Sequence, residues 1–197
     1  SKILFSPSMA KGIDGWKLPF AIEGEKSIFD GLEISKDTKL CEAYMGKYPV
    51  ISISLKGINA AAYEDAFDFA VQIMQRTAEE FQFLSDSEYL SEHDKSVYRE
   101  LLDSNMSETV FCGGLKILSK LLEKHYRLKV ILLIDEYDVP LAKAFENGYY
   151  EQMIFLIRNL LEQALKTNNS LKFAVMTGCM RIQMNVMMNI LVLRIRK

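Results

Sequence analysis

One run of five aliphatic residues, Val130-Ile-Leu-Leu-Ile134, constrains this chain more than any other feature. It has no polar alternation, so both faces of the segment must be covered, which describes a central strand of a parallel sheet. The run ends in Asp135-Glu136-Tyr137-Asp138. Two other runs read as strands. Pro49 to Leu55 alternates Ile with Ser and closes on the turn signal Lys56-Gly57, and Leu171 to Met176 stops at Thr177-Gly178. The second of these is expected to be a third buried strand, and the first to be buried mainly on one face.

The stretches between these strands carry helical periodicity. Asn59 is the expected N-cap of a helix reaching about Phe83, with Phe67, Ala70, Val71, Met74 and Ala78 on one face. Ser91-Glu92-His93-Asp94 reads as a capping box with Asp in the position usually held by Glu. A third helix is expected from Ser107 to His125, its first turns weakened by Gly113-Gly114, and a fourth from Tyr149 to Lys166. Strands joined by long helical connections pair in parallel with right-handed crossovers. The expected architecture is therefore α/β, a three-layer fold on a parallel sheet, with residues 50–55, 130–135 and 171–176 as its strands and their order left open.

Composition removes several classes of function. A formal net charge of -2 gives no bulk attraction to nucleic acid or to an anionic membrane. No apolar run approaches the length of a membrane span, and the apolar stretch 186–195 is broken by Asn189 and Arg194. Cys41, Cys112 and Cys179 stand far apart, and with only two histidines the usual zinc spacings are missing. A cytoplasmic chain without a structural metal is expected.

Chemistry is concentrated at the strand ends. An apolar strand delivering two consecutive carboxylates at its C-terminal end has the Walker B pattern of nucleotide hydrolases, because parallel sheets place their ligand sites there. In that reading Asp135 holds Mg²⁺ and Glu136 polarises the water that attacks a terminal phosphate. Thr177 is placed where a γ-phosphate sensor would stand. Arg181 is a further candidate phosphate contact. No G-x-x-x-x-G-K-[ST] phosphate loop is present, and Lys11 is the first lysine after a possible first strand, Ile3-Leu4-Phe5. Against these stand plainer readings: a solvated strand end or a helix N-terminus before Pro140 for the acids, an ordinary strand stop for Thr177-Gly178, and a surface arginine for Arg181.

Five segments, Ser27–Ser35, Gly46–Gly57, Val130–Leu141, Glu146–Tyr150 and Leu171–Ile182, resemble the bacterial AAA-ATPase-like family. The resemblance covers about residues 20–182. It implies a P-loop NTPase-like sheet, ATP and Mg²⁺ as ligands, Walker B roles for Asp135 and Glu136 with Asp135 on the metal, and a sensor role for Thr177. Family members are often followed by a nuclease-like domain, which the resemblance leads one to expect beyond these 197 residues. They also open with Arg-Pro-Arg-Arg-Phe-Gly-Lys-Thr/Ser, whereas this chain has Ser6-Pro-Ser-Met-Ala-Lys-Gly12, in which only Pro7 and Lys11 have counterparts. The division expected from this is a divergent segment 1–19 without a phosphate loop, the ATPase-like domain 20–182, and a divergent tail 183–197, as in a truncated or frame-shifted gene. Hydrolysis is then expected to be weak or lost. The alternative is a non-catalytic remnant that binds an unknown protein partner, and a metal-dependent nuclease using Asp135, Glu136 and Asp138 is a third reading.

Overall fold

A computed structural model describes residues 36–178. Strands β1 (Val50–Ser54), β2 (Val130–Asp135) and β3 (Leu171–Met176) form one parallel sheet in the order β1-β2-β3. The aliphatic run is thus central among the described strands, as its lack of alternation requires. Register sets Ile51 beside Leu132 and Ser54 beside Asp135, and on the other side Leu132 beside Ala174 and Ile134 beside Met176.

The two faces of the sheet bury different partners. Ile51, Ile53, Leu132 and Ile134 belong to the main core, which they share with helices α2 (Tyr63–Glu79), α4 (Glu108–Tyr126) and α6 (Tyr150–Leu165). Val50, Ile131 and Leu133 form a smaller cluster on the opposite face, with Tyr44, Tyr48, Phe173 and Val175 packed against it. Tyr44 ends the short helix α1 (Thr38–Tyr44), and its ring meets Phe173 edge-on at 5.9 Å. Helices therefore lie on both sides of a parallel sheet, and the chain is α/β with an incomplete P-loop-like fold.

Two helix starts follow the local code. Helix α3 (Glu92–Glu100) opens on a complete capping box: the Asp94 amide donates to the Ser91 hydroxyl oxygen, and the Ser91 amide donates to Asp94 Oδ2. Helix α4 opens on Ser107, whose hydroxyl oxygen accepts from the Val110 amide. The helix runs unbroken through Gly113 and Gly114, and both lie buried inside it. A Cβ on Gly114 would stand 2.7 Å from Met74 Sδ, so the missing side chain is what lets α4 approach α2.

Two expectations are corrected. Helix α2 begins at Tyr63 rather than beside Asn59, with Ala62 in the N-cap position. Ile58 is fully buried and the Ala60 carbonyl accepts a hydrogen bond from the Tyr149 hydroxyl at 2.8 Å, so tertiary contacts hold these residues out of the helix. The same helix ends at Glu79, and a 3-10 turn, Gln82–Asp86, follows. Strand β3 is not fully buried: its residues are half-buried, with Lys172 exposed, because among the described residues it pairs on one side only. No described helix is long and apolar enough to cross a membrane. The possible strand 3–5 and the segment 179–197 lie outside the described residues.

Candidate functional site at the carboxyl edge of the sheet

Just past the last paired residues, Ile134 and Met176, the Thr177 side chain meets Asp135. Backbone bonds hold the edge on both flanks. The Leu55 amide donates to the Asp135 carbonyl at 3.0 Å, and the Thr177 amide donates to the Ile134 carbonyl at 2.9 Å. Within that frame the Thr177 hydroxyl donates to Asp135 Oδ1, and the Glu136 amide donates to the same oxygen at 3.0 Å. Asp135 and Thr177, expected from sequence at one edge, are in direct contact.

Glu136 follows a different path. Its φ of 51° lies in the left-handed region, which a glutamate adopts only when its surroundings hold it there. The Asp135 carboxylate supplies part of that hold by accepting the Glu136 amide. After this turn the Glu136 carboxylate lies 3.7 Å from the Lys56 ammonium, just past the end of β1. The two neighbouring acids thus diverge, Asp135 onto β3 and Glu136 towards β1, which is how consecutive carboxylates serve different partners.

Beyond the acids the chain turns into α5 (Val139–Asn147), with Pro140 in its first turn and Asp138 in the N-cap position. Asp138 is buried and packs on Gly178: a Cβ there would meet Asp138 Oδ1 at 2.6 Å and Tyr137 Cε1 at 3.0 Å. Thr177-Gly178 is therefore more than a strand stop, since only glycine lets the chain leave β3 this close to the Asp138 carboxylate. Burial, with the Asp138 charge adding to it, pushes the Tyr137 phenol above its ordinary range.

Asp135 Oδ1 already accepts two hydrogen bonds, so Oδ2 is the oxygen a cation would use. No group of three or more His, Cys, Asp or Glu side chains that could hold a metal gathers among the described residues. A cation at Asp135 would therefore need ligands beyond the described side chains, such as phosphate oxygens and water, as Mg²⁺ commonly takes. The three acids of the nuclease reading do not converge: Asp135 contacts Thr177, Glu136 turns towards Lys56, and Asp138 is buried against Gly178.

Lys11 and Arg181 lie outside the described residues. Lys56 was legible only as half of a turn signal, and nothing local marks it as a neighbour of Glu136. A cleft of about 330 Å³ between β1 and α2 is lined by Ser52, Ser54, Ile73, Arg76 and Thr77 among others, and by neither acid.

Neither the curated proteins nor the solved structures contain a match to this chain. The family model described as a predicted AAA-ATPase matches residues 15–188, a span that contains the whole sheet, both acids and Thr177. With a parallel sheet covered on both faces and two acids at the end of its central described strand, the chain belongs to the AAA-ATPase-like family.

Proposed function

We propose that this chain is an ATP-binding domain of its family in which the Walker B acids are kept and the Walker A loop is missing, so that nucleotide is held weakly and hydrolysis is lost or close to it. The observation that carries this reading is the contact of the Thr177 hydroxyl with Asp135 at the carboxyl edge of a parallel sheet, where ligands of such sheets bind. Asp135 would hold Mg²⁺ through Oδ2, and the ion would neutralise phosphate charge when bound. Thr177 holds the Asp135 carboxylate and would stand beside a bound terminal phosphate. Glu136 would orient water, but its carboxylate is turned towards Lys56.

Phosphoryl transfer depends almost wholly on positioning and electrostatic stabilisation, so acids without a phosphate cradle do little. In the N-terminal segment, where family members carry that cradle, Lys11 is the proposed phosphate contact, and Arg181 is the second. Three cysteines that stand far apart in the sequence, Cys41, Cys112 and Cys179, suit a reducing, cytoplasmic setting.

Calorimetric titration with Mg·ATP tests the reading, together with a phosphate-release assay on the chain and on Glu136→Gln. The expected result is binding no tighter than about millimolar, equivalent to roughly -4 kcal/mol, with release at background in both proteins. Micromolar binding and release that disappears in Glu136→Gln would overturn it.

A further inference from the structure

We propose that Lys56 is a phosphate-responsive cation at this edge: its ammonium rests on Glu136 and transfers to the terminal phosphate of a polyphosphate ligand, releasing the Glu136 carboxylate. The inference rests on the nucleotide reading of the edge and adds a residue and a device to it.

Three observations support it. The backbone roots Lys56 at the site, because Leu55 is bonded to the Asp135 carbonyl and the Lys56 amide donates to Ser54 Oγ at 3.4 Å. The ion pair is loose: 3.7 Å separates the charges, and the Lys56 side chain is 74% exposed against 26% for Glu136. An exposed pair of that length contributes little, and a terminal phosphate offers three acceptor oxygens and nearly two charges against the single charge of a carboxylate. Finally, Glu136 is fixed at its backbone by the left-handed turn and the Asp135 hydrogen bond, so loss of its cation frees the side chain and leaves the main chain in place. Among the described residues Lys56 is the only cation in an ion pair with either Asp135 or Glu136.

The test titrates the full chain at low salt with Mg·ATP and, separately, with inorganic tripolyphosphate, comparing wild type with Lys56→Gln, Lys56→Arg and Lys166→Gln. Lys166 caps α6, which leads to the opposite end of β3, and controls for the loss of one charge anywhere on the surface. Lys56→Gln is expected to weaken both ligands about tenfold, as befits the loss of one hydrogen bond to a charged group. Lys56→Arg should restore most of the affinity and Lys166→Gln should leave it unchanged. The Glu136 side-chain carboxyl signal should shift on titration of wild type and start near its ligand-bound position in Lys56→Gln. Equal affinity in wild type and Lys56→Gln, an equal loss in Lys166→Gln, or no binding of tripolyphosphate well above millimolar concentration would each overturn the role of Lys56 while leaving the weak-site reading intact. Micromolar binding with turnover would instead overturn the weak-site reading, and the ratio of wild type to Lys56→Gln would still decide the role of Lys56.

Discussion

Leu132→Ala is expected to lower the free energy of unfolding by about 3 kcal/mol. Leu132 is 1% exposed in the middle of β2, with Ile51 beside it on one neighbouring strand and Ala174 on the other. Truncation removes the burial of a branched side chain and leaves a cavity. Strands hydrogen-bonded on both sides cannot move inwards to close it, so the cost should sit well above the transfer contribution alone. Side chains alternate along a strand, which puts Leu132 on the face opposite to Asp135. The carboxyl edge should therefore survive in the folded variant. Urea denaturation with a shifted midpoint and an unchanged slope would show this, whereas a loss below about 1 kcal/mol would mean that β2 is not enclosed as described.

Lys124→Met should cost about 2 kcal/mol near neutral pH, and the cost should shrink as the pH falls. Asp94 is 6% exposed. Burial by itself would raise its carboxyl pKa, but the Lys124 ammonium, 2.6 and 2.7 Å from its two oxygens, and the Ser91 hydroxyl and amide outweigh burial and hold it down at about 2. A carboxylate with a depressed folded-state pKa stabilises the fold above its unfolded value, near 3.9, and that contribution is lost as the pH drops through about 2. Removing Lys124 leaves a buried carboxylate with the Ser91 bonds but no cation. Its pKa then rises and protonation relieves the variant. Lys124 is itself about one-third exposed, which keeps the expected loss below that of a fully enclosed pair. Urea midpoints at pH 7 and pH 3 measure the effect: the gap between wild type and variant should narrow at pH 3. A gap independent of pH would show that the pair is screened by solvent and contributes little.

Local patterns were legible wherever a residue's role is decided by near neighbours. The unbroken run 130–134 required a strand enclosed on both faces, and Ser91 with Asp94, or Ser107 before Val110, announced helix starts because capping bonds reach only three residues. The contact of Asp135 with Thr177 was legible in part, since both close apolar strands that pair in parallel. Contacts set by distant segments were not legible. Asn59 satisfies the helix-start pattern, yet Ile58 and the bond from Tyr149 to Ala60 decide the boundary. Glutamate gives no sign of a left-handed backbone, so the divergence of Asp135 and Glu136 and the approach of Lys56, eighty positions earlier in the chain, emerge only from the folded sheet. Gly178 is required by Asp138, forty positions away, and not by its own turn.

The central claim is that a nucleotide meets this chain at the carboxyl edge, on Asp135, Glu136 and Thr177, and is held weakly. Residue-resolved NMR titration of the full chain with Mg·ATP tests it most directly. Amide shifts should concentrate at 135–137 and 177–178, extend to Lys56, and follow a dissociation constant of about millimolar or weaker. Saturation at micromolar nucleotide, or shifts centred on the cleft at Arg76 and Thr77 with Asp135 and Glu136 unmoved, would contradict it.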